Sequence, residues 1–341
     1  MPKHNFKKNV LSIAIPLLLI ILCILYFTFN NKRNTSVSKS ALKLNTYITV
    51  TLYGTDNTQI LDEVFALCDY YEQLFSKTIQ TSDVYQFNHR TTQGLKVNES
   101  TAELVMYGLS YSTLSNGAFD IAIGRLTDLW DFTAKNPVLP NETTLSNARL
   151  HVGYQSLSIA DSYLYSTDDG LEIDLGGIAK GYIADRMKDF LISKGITSGM
   201  INLGGNVLCI GSKPDGSPFK VGVQKPFSEQ GETLLAIDVV DYSVVSSGTY
   251  ERYFNLNDMI YHHILNPLTG YPYNNGLTAV TILSKQSVDG DGLSTTCFSL
   301  GLEEGMKLIN SLDETYAIFV TDNGQIYYSD GLQDHFPITK P

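Results

Sequence analysis

The chain has 341 residues, with 24 Lys and Arg against 35 Asp and Glu, a formal net charge of −11. So acidic a body argues against a nucleic-acid backbone as partner. The four cysteines are far apart and lack CxxC spacing, which argues against a cysteine metal cluster; Cys68, Cys209 and Cys297 read as small buried hydrophobes.

Residues 1–9 carry Lys3, Lys7 and Lys8, and residues 10–29 follow without a charge. A helix of that length rises about 1.5 Å per residue and spans roughly 30 Å, one bilayer core. A cleaved signal peptide is the first rival, but its apolar region is usually about 7–15 residues, and no small-x-small site stands near Phe29. Leu22 before Cys23 argues against a lipoprotein. The segment therefore reads as a single transmembrane helix. Lys32 and Arg33 follow it closely, so the positive-inside rule points only weakly to a cytoplasmic N-terminus at 1–9. Residues 30–40 are Asn, Ser, Thr and Lys in the main and read as a solvated tether. Residues 41–335 suffice for one domain with a real core.

Residues 44–53 alternate and are rich in Thr and Tyr, the pattern of a strand. Leu61, Val64, Phe65, Cys68, Tyr71 and Phe75 recur at helical spacing and predict an amphipathic helix over 58–75. Ser100-Thr101-Ala102-Glu103 has the form of a capping box. It opens a helix with Leu104, Tyr107, Tyr111 and Leu114 on one face, ended by Asn116-Gly117. Residues 172–175 look like the end of a strand, and the helix carrying Tyr182, Ile183, Met187, Phe190 and Leu191 is closed by Gly195. Strand-like runs follow at 199–210, 219–224, 234–245, 259–265 and 278–283, and helices at 292–300 and 303–312. A last hairpin at 316–321 and 325–329 turns on Asn323-Gly324. Without a βαβ rhythm, the fold class is α+β, a single domain with mixed or antiparallel sheets and packed helices.

Five segments can carry chemistry. In Asp174-Leu-Gly-Gly-Ile-Ala-Lys180-Gly181 an acid and two glycines precede a helix start, a setting suited to phosphate groups; the glycine spacing fits neither a Walker A loop nor GxGxxG. Asn202-Leu-Gly-Gly-Asn206 is a tight turn whose glycines can clear space for a planar ligand. His263 precedes Ile264 and the rigid Asn266-Pro267 turn. Asp291 and Thr295 are four apart, so a helix opening at Gly292 sets both oxygens on one face. A carboxylate with a hydroxyl suits Mg²⁺, although an N-capping Asp with a back-bonding Thr fits the same spacing. Gly117-Ala118-Phe119-Asp120 offers an aromatic beside an acid, to flank a ring and bind its edge or to serve as core and cap.

Taken in order, these segments resemble the FAD:protein FMN transferase family, often called ApbE, over about residues 44–329. Leu74-Phe75-Ser76, Gly222-Val-Gln-Lys-Pro226, Ser246-Ser247-Gly248 and His263-Ile264 with Pro267 add to the likeness. The resemblance implies FAD as substrate and Mg²⁺ near its diphosphate, with the backbone carbonyl of Gly177 and the side chains of Asp291 and Thr295 as metal ligands. It implies flavin-nucleotide contacts at Ala118, Phe119, Asp120, Asp174, Lys180 and Ile264. Leu44 and Thr78 match contacts that are often Met and Tyr in relatives, and Asn266 stands where Asp is common. The implied reaction is attack by a Thr or Ser hydroxyl of an acceptor protein on the FMN-side phosphorus, expelling AMP. His263, with an ordinary pKa near working pH, is the candidate base, and Asp291 its rival. The implied acceptors carry a Ser/Thr-Gly-Ala-Thr-like motif and belong to respiratory or extracellular electron-transfer flavoproteins. Two other readings use the same residues: hydrolysis of FAD to FMN and AMP, and a non-catalytic membrane-tethered flavin-binding protein. The expected place is the cell membrane, single-pass, with the domain extracytoplasmic.

Overall fold

Ser36 to Ser40, expected to belong to the tether, instead begin a strand. The computed structural model describes residues 35–229 and 231–340, and β1 (Ser36–Lys43) pairs antiparallel with β2 (Thr46–Tyr53). Small hydroxyls that read as solvated linker form a cross-strand ladder instead: Ser38 Oγ meets Thr51 Oγ1 at 2.9 Å, and Ser40 Oγ meets Thr49 Oγ1 at 2.8 Å. Leu44 and Asn45 make the hairpin turn with φ of 53° and 55°, as a two-residue turn of the primed type requires. The anchor expected at 10–29 lies outside the described residues, among which no helix is long and apolar enough to cross a membrane.

Helix α1 (Gln59–Phe75) packs the predicted apolar stripe into the core. After α2 (Asp83–Asn88) and β3 (Gly94–Lys96) comes α3 (Glu99–Leu114). Its N-cap is Asn98, whose Oδ1 accepts from Ser100 N–H at 2.9 Å, so the expected capping box is not used. Glu103 instead accepts from the Tyr182 hydroxyl at 2.6 Å. Short α4 (Gly124–Thr127) and α5 (Glu142–Arg149) precede a hairpin of β4 (Leu157–Ala160) and β5 (Tyr163–Ser166). Then come α6 (Ala179–Ser193), β6 (Gly199–Leu203), β7 (Asn206–Ile210), β8 (Phe219–Gln224), β9 (Thr233–Val239) and β10 (Ser243–Gly248). The runs at 199–210 and 234–245 are thus two strands each, broken at Gly204-Gly205 and at Asp241, all with positive φ. A hairpin of β11 (Tyr253–Leu256) and β12 (Met259–His262) precedes β13 (Leu277–Ser284), α7 (Ser287–Leu300), α8 (Leu302–Asn310), β14 (Tyr316–Thr321), β15 (Ile326–Tyr328), α9 (Leu332–His335) and β16 (Ile338–Thr339).

The main sheet runs β1-β2-β6-β7-β10-β13-β14-β15, each neighbouring pair antiparallel. One face, with Val50, Ile201, Leu208, Val280 and Ile282, joins a core that includes Val64, Leu104, Ile183 and Phe298 of α1, α3, α6 and α7. The other, with Val207, Cys209, Val244, Leu283 and Ile318, packs on the small sheet β16-β9-β8. The fold is therefore α+β, built in three layers. Cys68, Cys209 and Cys297 are free and buried, as expected of small hydrophobes.

The α6–α7 contact positions the site. Both oxygens of Asp185 on α6 accept from the first amides of α7, Ser287 N and Val288 N, each at 2.8 Å. This cap from a distant segment starts α7 at Ser287, a full turn before Gly292. Helices approach closely here because Gly181 has no side chain: a Cβ there would lie 2.3 Å from the Ser287 carbonyl oxygen. On α7, Leu293 and Phe298 are buried in the main core, each contributing about 1.5–3 kcal/mol relative to exposure.

Candidate active site

Residues 172–175 belong to no strand, contrary to the expected strand end. Their backbone finds other partners: Asn88 accepts from Ile173 N–H at 2.8 Å and donates to Ile173 O at 2.9 Å, while Asp174 N–H donates to Ile121 O at 2.8 Å. Asp174 is thereby fixed one turn before α6. Its Oδ1 accepts from Gly176 N–H at 2.8 Å, and its Oδ2 accepts from Thr127 Oγ1 at 2.7 Å and stands 3.0 Å from Lys77 Nζ. Lys77 Nζ also reaches Asp128 at 2.6 Å and Thr127 Oγ1 at 2.7 Å. Burial raises the Asp174 pKa, but Lys77 and these hydrogen bonds outweigh it and hold the carboxyl below its ordinary value. Lys77 ties the end of α1, α4 and the Asp174 turn together. Nothing in its local pattern distinguishes it; only its place beside Leu74-Phe75-Ser76 hints at a role.

Asp291 and Thr295 lie one turn apart inside α7, so Asp291 is a helix-interior residue and not an N-cap. Asp291 Oδ2 accepts from Gly181 N–H at 2.7 Å. Ser247 Oγ at the end of β10 meets Thr295 Oγ1 at 3.1 Å and Ser294 Oγ at 2.8 Å. Gly177 completes the group: a Cβ there would stand 4.0 Å from Thr295 Oγ1 and 3.1 Å from the Phe119 ring. Burial raises the Asp291 pKa, opposed by the Lys180 charge and by hydrogen bonds. Lys180 also acts on Glu251 and on His263. Ser247 lies in a motif that the sequence singles out without a role; Glu251 carries no such signal.

Among the described residues, no three His, Cys, Asp or Glu side chains come together as a metal centre. One carboxylate, one hydroxyl and a nearby backbone still fit Mg²⁺, a hard cation that keeps waters and shares its shell with substrate phosphates. The start of α6 brings the positive end of a helix dipole to the site, but its amides are already engaged: Ile178 and Ala179 N–H donate to Leu175 O, Gly181 N–H to Asp291 and Tyr182 N–H to Ile178 O.

His263 follows β12 outside any regular strand, and its N–H donates to Arg252 O at 3.2 Å. The expected strand at 259–265 ends at His262. His263 Nδ1 is buried without a partner among the described residues. Burial first, then the charges of Arg252, His262 and Lys180, push its pKa down to about 3. His262 is buried against Phe298, and its Nε2 meets Tyr273 O at 2.8 Å. It holds the following loop in place.

Phe119 is buried beside Gly177. Both Asp120 oxygens are engaged by backbone amides, Ala122 N–H at 2.8 Å and Tyr154 N–H at 2.9 Å, and burial outweighs them to push its carboxyl up to about 6. Ala118 O accepts from the Tyr273 hydroxyl at 2.9 Å. Ile264 is a core residue whose carbonyl accepts from Tyr273 N–H at 3.0 Å. Leu44 is half-buried, with its N–H donating to Glu72 at 3.1 Å. Thr78 is exposed, its hydroxyl 3.0 Å from Ser76 Oγ.

The ApbE family model matches residues 44–319. A Klebsiella pneumoniae protein named FAD:protein FMN transferase is 35% identical over 300 residues, covering 87% of this chain and 92% of that protein. One of the same name from Treponema pallidum is 28% identical, covering 96% of each. The crystal structure of the ApbE protein from Thermotoga maritima superposes with a TM-score of 0.81 at 29% identity, covering 88% of this chain and 98% of that one. The flavin transferase ApbE from Vibrio cholerae gives 0.79 at 27%, covering 88% and 99%.

Proposed function

The chain belongs to the ApbE family, and on that footing we propose that it is an FAD:protein FMN transferase, an enzyme that moves FMN from FAD onto a hydroxyl of an acceptor protein and releases AMP. One observation carries the reading. Three segments far apart in sequence, around Gly177–Gly181, Ser247 and Asp291–Thr295, converge through direct contacts. Burying the Asp291 carboxylate costs desolvation that the Gly181 hydrogen bond offsets only in part, as its raised pKa indicates, and such groups cluster at functional sites.

Asp291, Thr295 and the Gly177 carbonyl would hold Mg²⁺, which when bound supplies positive charge against the phosphoryl transition state. The chain's own groups do the rest. Lys180 and the α6 N-terminus attract the diphosphate, and Phe119 and Asp174 frame the nucleotide. The acceptor hydroxyl oxygen bonds to the FMN-side phosphorus, and the bond from that phosphorus to the bridging oxygen breaks. AMP leaves with the bridging oxygen. The hydroxyl proton is assigned to His263, whose Nδ1 has no partner among the described residues. Its pKa of about 3 departs from the ordinary value expected of it, because burial and the charges of Arg252, His262 and Lys180 oppose the imidazolium, and the anionic diphosphate has to offset them for the proton to be held there. Ala118, Asp120, Ile264, Leu44 and Thr78 are assigned to flavin contacts through the family resemblance, with Ile264 contributing backbone. Acceptors are flavoproteins bearing a Ser/Thr-Gly-Ala-Thr-like motif. Chelation with EDTA should stop AMP release, and added Mg²⁺ should restore it; undiminished turnover in EDTA would remove the cation from the reaction.

We propose, on the apolar run at 10–29 that follows Lys3, Lys7 and Lys8, that the enzyme is anchored in the cell membrane with its domain outside the cytoplasm. Protease added to intact spheroplasts should then digest the domain, and its full protection would reverse the topology.

A further inference from the structure

Asn206 opens β7 directly after the Gly204-Gly205 turn. It is 1% exposed, and its neighbours Ser287 and Asp291 are 0% and 5% exposed. A side-chain amide has an oxygen that accepts and a nitrogen that donates. At Asn206 only the oxygen is engaged. Ser243 Oγ donates to Ser287 Oγ at 2.9 Å, and Ser287 Oγ donates to Asn206 Oδ1 at 2.7 Å. Because Ser287 directs its single proton at Oδ1, the amide cannot flip without facing one donor with another. Nδ2 is therefore held on the opposite edge, where it has no partner of normal hydrogen-bond geometry among the described residues.

A buried donor without an acceptor costs about 1–3 kcal/mol, so a fold that fixes one in place calls for an explanation. The acceptor within its reach is the Asp291 carboxylate, one turn after Ser287 on α7. The Gly181 N–H already anchors Asp291 Oδ2 from the other side, at 2.7 Å. Gly181 N–H thus holds the carboxylate from one element, the Asn206 amide faces it from another, and a serine relay fixes how that amide is turned.

We infer that Asn206 is a positioning residue for Asp291: its Nδ2 donates to the carboxylate and sets the direction in which that carboxylate presents oxygen to a cation, with Ser243 and Ser287 fixing the amide. The inference rests on the reading that Asp291 holds a divalent cation. Groups that orient a metal-binding side chain typically account for about 10–100-fold in metal affinity.

The test is Mn²⁺ binding to the full-length protein, with the free ion followed by electron paramagnetic resonance and no FAD present. Asn206→Leu keeps the size of the side chain and removes the donor, and should weaken Mn²⁺ binding by about 10–100-fold. Ser287→Ala frees the amide to flip and should weaken binding less. The double variant should bind no more weakly than Asn206→Leu alone, since both changes act through one hydrogen bond. Thermal unfolding in EDTA separates this from packing, because a packing defect lowers stability and leaves the affinity of the folded fraction unchanged. Unchanged affinity in Asn206→Leu, or independent additive losses, overturns the inference. If Asn206→Leu does not fold, unchanged affinity in Ser287→Ala overturns it instead. Failure of the wild-type protein to bind Mn²⁺ would overturn the cation reading of Asp291 and this inference with it.

Discussion

Replacing Asp291 with Ala should slow FMN transfer about a thousandfold, since charge stabilisation by a bound cation is worth several kcal/mol and about 1.4 kcal/mol is tenfold in rate. Ala also leaves the Gly181 N–H without its acceptor, at a cost of about 1–3 kcal/mol in stability. Asp291→Asn removes the charge and keeps an acceptor, and so separates lost chemistry from lost fold. Burial holds the Asp291 pKa above its ordinary value. The ionised carboxylate therefore lowers metal-free stability at neutral pH, and this cost fades as pH falls and the group protonates. Without metal, Asp291→Asn should accordingly melt no lower than wild type at pH 7, with the two curves converging in acid. Mg²⁺ should raise the wild-type melting temperature and leave that of the variant unchanged. Transfer by Asp291→Asn at the wild-type rate would remove Asp291 from the site.

His263→Ala should bind FAD almost normally, by quenching of flavin fluorescence, and transfer FMN about 10²–10⁴-fold more slowly, the usual loss with a general base. The imidazole is neutral at working pH because burial and the charges of Arg252, His262 and Lys180 press its pKa to about 3 from 6.5. That depression has a sign for stability. As pH falls below 6.5 the unfolded chain takes up a proton that the folded chain refuses, so this part of the stability is present at neutral pH and lost in acid. His263→Ala should be less acid-sensitive in that window. His262→Ala should differ from it, lowering stability through the lost Tyr273 and Phe298 contacts and keeping the turnover of folded enzyme. Equal behaviour of the two variants, or loss of FAD affinity in step with rate for His263→Ala, would make His263 a structural or binding residue and Asp291 the leading base.

Periodicity located α1, α6 and most strands because their apolar faces meet a single core, and hydrophobic period is a local property. The i, i+4 spacing of Asp291 and Thr295 placed them on one helix face, which α7 bears out. The start of α7 was not legible. Gly290 and Gly292 look like loop residues, and the cap that carries the helix back to Ser287 is Asp185, about a hundred residues away. The glycines are there for close packing: a Cβ on Gly292 would lie 2.3 Å from the Tyr111 ring. Ser36 to Ser40 show little apolar alternation, and it is the backbone ladder with β2, its paired hydroxyls and the packing of Val37 that make them a strand. Lys77 escaped because its meaning lies in Asp128 and Asp174, neither of which is near it in sequence. Local rules found the residues that carry chemistry by type and spacing, and missed those that act by holding another residue.

The most direct test is the intact mass of an acceptor domain carrying the Ser/Thr-Gly-Ala-Thr-like motif after incubation with the enzyme, FAD and Mg²⁺. The acceptor should gain the mass of one covalently attached FMN, with one AMP released for each, and an acceptor whose motif hydroxyl is replaced by Ala should gain nothing. Conversion of FAD to free FMN and AMP with the acceptor mass unchanged would contradict transfer and leave hydrolysis as the activity of this site.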